Sequence, residues 1–316
     1  MISIYNQKIR KIYSIAPKIA KAMKSIHAKI IFLLNYKSDV KALKKSIEEI
    51  FLQEKLPLFY EIEIETMNKC NGTCSFCAIN KNLDKRPLVK MSKYNFCKII
   101  DNLAELNFNG VVNYFSNNEP LLDNRIFEFI SYGVSKLPQA YHKLYTNGTL
   151  LTEEKFQTLI NTGLTYLRID NYNDKLIMNS NIQKIYDKYK EQKFAMKCEI
   201  HLRYNNQVLN NRGGSAPNKP KIKRQNMAQC PLPFLQFIVR ADCGVSLCCC
   251  DALGKVTFGN IKEQPIEEIW TDKKRLEILE LMRGQRRKEI ELCKECDFHG
   301  SGKDLDYIIK YPTGKY

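Results

Sequence analysis

The sequence predicts an α/β protein: a parallel β-sheet with helices outside it, preceded by a helical N-terminal extension and followed by a small α+β unit. Three observations carry this reading. Between residues 58 and 211, short strand-like runs alternate with helix-period stretches, the pattern of repeated βα units and hence of a parallel sheet. Residues 1–57 contain no turn cluster, and their apolar positions recur at helical spacing. After Asn211-Arg212-Gly213-Gly214 the chain becomes proline- and lysine-rich, SAPNKPKIKRQN, which reads as a linker, and a β-hairpin pattern follows it. The expected units are therefore 1–57, 58–211 and 212–316.

In the extension, Ile9, Ile12, Tyr13, Ile15, Ile19, Met23 and Ile26, then Ala42, Leu43, Ile47, Ile50 and Phe51, form apolar faces with lysines between them. A basic helix of this kind can cap a barrel, lie on a membrane surface as a peripheral contact, or dock a substrate carrier. The longest apolar run, Ile30-Ile31-Phe32-Leu33-Leu34, is far too short to span a bilayer, and no small-residue cleavage site marks a signal peptide. The alternation Glu61-Ile62-Glu63-Ile64-Glu65 then reads as the first strand of the core. Ser92 is an N-cap for a helix running to residue 106. Strands follow at Gly110–Phe115, His142–Tyr145, Leu164–Ile169 and Phe194–Arg203, with helices at 124–136, 152–162 and 174–191 between them. Past the linker come a strand Leu235–Val239, a turn at Ala241–Gly244, a strand Val245–Leu247, the stretch Phe258-Gly259-Asn260-Ile261, and one helix over 265–283 with Pro265 in its first turn.

The composition is that of a globular chain: 316 residues, 44% hydrophobic and 27% charged. The net charge of +16 arises from 50 lysines and arginines against 34 acids. No basic block or glycine/arginine tract concentrates it, so it reads as a solvated lysine-rich surface, and no specific nucleic-acid partner is expected. The 12 cysteines are too few for a secreted disulfide scaffold and cluster at 70–77, 230–250 and 293–296, which points to metal. Such thiol clusters need a reducing compartment, so a cytoplasmic protein is expected.

Cys70, Cys74 and Cys77 follow the first core strand with C-x3-C-x2-C spacing. Half of a zinc ribbon is one reading, although such sites use paired C-x2-C units and a fourth ligand. A disulfide cluster is another. Three thiolates on one short loop can also hold three irons of a four-iron cluster and leave the fourth open as a binding position.

With Phe76 between the last two cysteines, this loop resembles the signature of the radical S-adenosylmethionine (SAM) superfamily. The resemblance implies a partial, TIM-like (β/α)6 barrel with its chemistry at the C-terminal ends of the strands. It implies that Cys70, Cys74 and Cys77 hold the catalytic cluster and that SAM binds the open iron. Ser116-Asn117-Asn118-Glu119-Pro120 stands where the family usually has Gly-Gly-Glu, so Asn117, Asn118 and Glu119 are expected at the SAM amino group, with asparagine as the residue best able to replace glycine at positive φ. Asn147, in Thr146-Asn147-Gly148, and Asp170, the candidate for the SAM ribose, end the next two strands. Glu199, His201 and Arg203 share one strand face, and Arg203 could pair with the SAM carboxylate. Arg212 could line the substrate site.

The second cysteine set comprises Cys230, the run Cys248-Cys249-Cys250, and Cys293 with Cys296. A zinc knuckle could be built from the same residues. The order of cysteine, hairpin, Cys-Cys-x-Asp, Gly-Asn-Ile…Glu-Ile-Trp and C-x2-C resembles the SPASM domain in its shortened, one-cluster form called Twitch. The resemblance implies one auxiliary 4Fe–4S cluster on Cys230, Cys248, Cys293 and Cys296, with Cys249 as the runner-up to Cys248. Thiols left over at Cys249 and Cys250 are the candidates for a catalytic hydrogen donor. Cys97 and Cys198 are expected in the core, and none of His27, His142, His201 and His299 is expected as a ligand.

The implied activity is reductive cleavage of SAM to a 5′-deoxyadenosyl radical, which abstracts hydrogen from a bound substrate. A flavodoxin or ferredoxin is the implied electron donor. The substrate is expected to be a sugar or aminocyclitol, oxidised or epimerised. A peptide or protein substrate is the alternative, although the N-terminal segment lacks the strands of the winged-helix module with which peptide-modifying relatives begin. RNA modification rests on charge alone.

Overall fold

The computed structural model describes residues 2–6, 38–219, 228–298, 300, 305, 308 and 309. Nine strands form one sheet: β1 (Ile2–Asn6), β2 (Glu61–Ile64), β3 (Val111–Asn113), β4 (Tyr141–Thr146), β5 (Tyr166–Tyr172), β6 (Lys197–Arg203), β7 (Gln236–Val239), β8 (Gly244–Ser246) and β9 (Thr257–Asn260). Their order is β1-β6-β5-β4-β3-β2-β7-β8-β9. Strands β2 to β6 pair in parallel in chain order, each followed by a crossover, as expected of βα units. The crossover helices are Lys93–Glu105, Ile126–Lys136, Glu153–Asn161 and Ser180–Tyr189. Three of them begin where a short polar side chain caps the first free amides: Ser92 accepts from Asn95 N at 3.1 Å, Thr152 from Lys155 N at 3.2 Å, and Asn179 from Ile182 N at 2.9 Å.

The alternation within each strand sorts the side chains. Ile62, Val112, Leu144, Leu167 and Ile200 point outward and are buried against the helices. The opposite face carries Glu61, Glu63, Tyr145, Arg168, Asp170 and Glu199, so the inside of the half-barrel is polar.

The structure corrects two expectations and extends a third. The N-terminal segment is not helical throughout: Ile2–Asn6 forms β1 and pairs in parallel with β6, Ile2 opposite Cys198 and Tyr5 opposite His201. Ile2-Ser3-Ile4-Tyr5 alternates with period two over four residues, and β6 would otherwise leave an unpaired edge. The helix expected from Ile9 to Ile26 lies outside the described residues. The second expected helix is present over 38–51, with Leu43, Ile47 and Ile50 buried. It packs by Phe51 on Phe234 (6.3 Å, edge-on) and by Glu48 on Arg283 (3.0 Å), beside the start of β7 and at the opposite end of the strands from the cysteine loop.

The stretch 265–283 is two helices, Ile266–Trp270 and Lys273–Arg283, because Asp272 accepts from Lys274 N at 2.9 Å and starts a second cap. Finally, the C-terminal unit makes no sheet of its own. β7 joins β2 in parallel, and β8 and β9 add antiparallel strands at that edge. Phe237 stacks on Phe59 at 4.8 Å, and the fully buried Trp270 donates to Pro57 O at 2.9 Å, so the two units share a core.

Glu65, just past β2, gives a pH-dependent stability. It is 2% exposed, and burial pushes its carboxyl up to about 8, opposed by the Ala241 amide and by Arg86 and Arg240. Below the ordinary glutamate range both folded and unfolded chains hold the proton. As pH rises the unfolded chain ionises first, so stability falls until pH passes about 8. Glu65→Gln should therefore gain on the parent protein as pH rises from 5.5 to 8.5, at about 1.4 kcal/mol for each pH unit that separates the unfolded and folded titrations of the carboxyl. Denaturant unfolding at both pH values reads this, and a pH-independent difference would contradict it.

Candidate active site

The cysteine loop follows β2 and is tied to the ends of three other strands. Glu119 N, after β3, donates to Lys69 O at 3.0 Å, and Ser75 N donates to Asn205 O, after β6, at 3.2 Å. Asn71 bridges to the end of β4, accepting from Asn147 Nδ2 and donating to Thr149 Oγ1, both at 2.7 Å. The loop's own backbone serves the thiols: Gly72 N donates to Cys70 Sγ at 3.3 Å. A Cβ at Gly72 would stand 3.3 Å from Cys70 Sγ and 3.8 Å from Cys74 Sγ, so the glycine leaves the Cys70 thiol room that a larger residue would crowd.

Burial, with repulsion from neighbouring thiolates, pushes Cys70 and Cys74 up to about 12, so without a positive partner they stay protonated. Among the described residues no three histidine, cysteine or acidic side chains converge on one ion-sized point. Three thiols arranged around a larger space, with amide donors to sulfur, fit a four-iron cluster.

Above this loop lies a cavity of about 420 Å³, within the range of small-molecule sites. Phe76, Asn117, Asn118, Glu119, Asn147 and Asp170 all line it, together with the three cysteines. Phe76 is held 5.6 Å from the Tyr172 ring. Arg203 is not on the wall. It stands behind Asp170, pairing with that carboxylate at 3.2 Å and with Gln207 at 3.1 Å, while Arg168 holds Asp170 from the other side at 2.9 Å.

Glu119 is 2% exposed and turned inward: it accepts from Thr146 Oγ1 (2.6 Å), Asn147 N (2.8 Å) and Leu121 N (3.1 Å). Burial raises its pKa and these donors oppose the rise. Its carboxylate thus joins the ends of β3 and β4.

The reason offered for the asparagine pair does not hold, since neither Asn117 nor Asn118 has positive φ. Their side chains are used instead. Asn118 Oδ1 accepts from Ser116 N at 3.0 Å, and its Nδ2 is buried without a partner among the described residues. Asn117 Oδ1 accepts from Arg212 Nη1 at 2.5 Å, and its Nδ2 donates to Cys249 O at 3.4 Å.

That last contact joins the two cysteine regions. Arg212 sits at φ 47°, followed by Gly213 and Gly214 at positive φ. A Cβ on Gly213 would come within 2.4 Å of Leu292, so the tight loop needs glycine there. Arg212 Nη1 also reaches Cys249 O at 3.4 Å. Cys249 N donates to Gln236 Oε1 at 3.1 Å, and Gln236 in turn donates to Glu61 at 2.6 Å. The acidic face of β2 is therefore tied by hydrogen bonds to residues that border the site. Glu63, 8% exposed, accepts from Ser116 Oγ at 2.6 Å; burial, then the Cys249 thiolate, raises its pKa well above the usual range.

In the second set, Cys230, Cys248, Cys293 and Cys296 are all buried. Burial pushes Cys230 up to about 12, the Arg287 charge opposes this, and the Cys248 and Cys296 thiolates add to it. Cys293 is raised by burial, then by Cys248 and Cys230. Phe298 N donates to Cys296 Sγ at 3.4 Å. Residues 248–250 form a turn rather than an extended strand. Cys248 and Cys250 are buried in the cysteine set, whereas Cys249 is half-buried with its backbone bonded to Gln236, Asn117 and Arg212. Cys250 packs beside Cys248, Cys249 and Cys296.

Cys198 is fully buried as expected, but Cys97 is only half-buried. His142 is a core residue. Burial lowers its pKa, its Nε2–H donates to Leu137 O at 2.9 Å, and its Nδ1 accepts from Tyr114 at 2.7 Å. His201 bonds Glu199 at 3.0 Å, and His27 and His299 lie outside the described residues.

Residues 64–197 match the radical SAM superfamily, and residues 230–297 match SPASM, an iron–sulfur cluster-binding domain. The chain thus carries a radical SAM domain followed by a C-terminal SPASM domain: the first domain binds SAM and a 4Fe–4S cluster, and the second binds auxiliary iron–sulfur. It is similar to the S-adenosyl-L-methionine-dependent 2-deoxy-scyllo-inosamine dehydrogenase of Niallia circulans, with 29% identity over 258 residues, covering 80% of this chain and 99% of that protein. Its fold is similar to the crystal structure of BtrN in complex with AdoMet and 2-DOIA, at TM-score 0.68 and 27% identity over 79% of this chain and 98% of that one. The structure of anSMEcpe with bound AdoMet, at TM-score 0.51 and 16% identity over 81% and 93% of the two chains, shares the fold alone. Among the described residues no helix is long and apolar enough to cross a membrane.

Proposed function

We propose that this radical SAM enzyme oxidises a carbinol carbon of an aminocyclitol of the 2-deoxy-scyllo-inosamine type. The observation that carries the reading is the Asn117–Arg212–Cys249 contact, through which the wall of the SAM cavity touches the auxiliary cysteine run. Bound SAM and the two clusters supply a 5′-deoxyadenosyl radical and an electron acceptor. Loss of one hydrogen atom, one proton and one electron from the carbinol gives the ketone. The chain's own residues bind and orient. Cys70, Cys74 and Cys77 hold the first cluster, and Phe76, Asn117, Asn118, Asn147 and Asp170 line the SAM site. Glu119 fixes the Thr146–Asn147 turn from the wall itself, and Arg203, behind the wall, fixes Asp170. Amide and hydroxyl side chains on the cavity wall suit a polyol.

Cys230, Cys248, Cys293 and Cys296 are the proposed auxiliary ligands, since these four thiols neighbour one another. Cys249 stays outside that set, its backbone bonded to Gln236, Asn117 and Arg212. A flavodoxin- or ferredoxin-type protein supplies the reducing electron, and twelve cysteines outside any disulfide suit a reducing cytoplasm. The test is an anaerobic incubation of reduced, reconstituted enzyme and SAM with aminocyclitols, neutral sugars and peptides. A product two mass units lighter from the aminocyclitol alone is expected. Turnover of peptide alone contradicts the substrate class.

A further inference from the structure

We infer that Arg287 is the charge partner of the auxiliary cluster and sets how readily that cluster takes up an electron. Arg287 opens the short turn Arg287–Glu289, and its side chain is 2% exposed. Its terminal nitrogens reach only backbone oxygens, Nη1 to Gln229 O and Nη2 to Cys296 O, each at a long 3.4 Å. Both carbonyls belong to the cysteine set's own framework: Gln229 precedes Cys230, and Cys296 is one of the four. Nε is buried with no partner among the described residues. Nor does any carboxylate among the described residues pair with this guanidinium, whereas its chain neighbour Arg286 pairs with Glu289 at the surface.

The other fully buried arginine, Arg275, shows what a structural role looks like. Its Nη1 donates to Trp270 O at 3.0 Å, its Nη2 donates to Pro233 O, and its guanidinium lies 3.3 Å from the centre of the Trp270 ring. Arg287 has no comparable partners. A buried cation without a counter-ion is strongly unfavourable, so the site calls for negative charge close by. The groups able to supply it are the thiolates of Cys230, Cys296, Cys293 and Cys248, the neighbours that act on Arg287. This inference rests on the ligand set proposed above.

Four thiolates make a four-iron cluster anionic, and reduction adds one more negative charge. A fixed positive charge in a low-dielectric surround favours the more negative state and so raises the reduction potential. In the proposed oxidation the electron comes from the substrate radical, which becomes the ketone as its hydroxyl proton leaves. The electron then passes on to a flavodoxin- or ferredoxin-type acceptor. Arg287 does not line the cavity above the cysteine loop, so it is a positioning residue for charge.

The test is a potentiometric titration of the holoenzyme followed by electron paramagnetic resonance. Added SAM alters the signal of the first cluster and thereby separates it from the auxiliary one. In Arg287→Met the auxiliary cluster should be at least tenfold harder to reduce, a shift of about 59 mV for one electron, with the first cluster unmoved. Arg287→Lys should shift it less. Iron content, measured alongside, tests the ligand set independently of the potential. An unchanged auxiliary potential with iron retained overturns the inference. If Arg287→Met loses auxiliary iron, Arg287→Lys decides: a retained cluster near the parent potential supports the charge role. Loss of iron in both variants overturns it in favour of a purely structural need for guanidinium.

Discussion

Replacement of Cys70, Cys74 and Cys77 together by alanine is expected to abolish 5′-deoxyadenosine formation and to lower bound iron from about eight to about four per chain. The size of the effect follows from how the loop is built. Its three thiols line one cavity, and none of the other cysteines, all of them among the described residues, lines it. The loop is held by Lys69, Asn71 and Ser75, none of them mutated, so the cavity wall should survive. The variant should therefore fold and keep its auxiliary iron. Iron analysis and chromatography of the SAM products read both numbers. Residual 5′-deoxyadenosine above the no-enzyme control would show that the open iron lies elsewhere.

Loss of Cys230 or Cys293 is expected to do the converse. Each variant should keep about four irons and cleave SAM, yet lose ketone formation by at least two orders of magnitude. Both thiols are buried among Cys248 and Cys296. Cys248, Cys249 and Cys250 should then separate by single alanine replacement. Cys248→Ala should lose iron. Cys249→Ala should keep it, because Cys249 joins the site through its backbone, whose N–H and C=O survive the change. A full loss of iron in Cys249→Ala would make it the ligand and overturn the proposed set. If Cys230→Ala still makes the ketone at the parent rate, the auxiliary cluster takes no part in the oxidation.

Much of this arrangement was legible in the sequence because its signals are local. Ser92 caps its helix three residues from the amide it serves, and the cysteine spacing lies within a single loop. What the sequence could not show depends on distant pairs. The Asn117–Cys249 contact spans 132 residues and Gln236–Glu61 spans 175, so no window of sequence relates them. The β1 strand was hidden for a similar reason: four alternating residues are a weak signal beside a long helical pattern, and only the free edge of β6 makes them a strand. The glutamates of β2 were visible, but an acidic strand face ordinarily meets solvent. Here it meets Ser116, Asn113 and Gln236 inside the half-barrel. Arg203 and Asp170 were read as two separate cofactor contacts, yet they form one pair across β5 and β6, whose register sets Asp170 opposite His201 and Tyr172 opposite Arg203.

The most direct measurement of the central claim is isotope transfer from substrate to the SAM-derived product. Reduced enzyme is incubated with SAM and with 2-deoxy-scyllo-inosamine carrying deuterium on each carbinol carbon in turn, and the 5′-deoxyadenosine is weighed by mass spectrometry. One labelled position should yield singly deuterated 5′-deoxyadenosine together with a ketone that has lost that deuterium, in equal amounts. Unlabelled 5′-deoxyadenosine from every labelled substrate, with no ketone formed, would contradict the account.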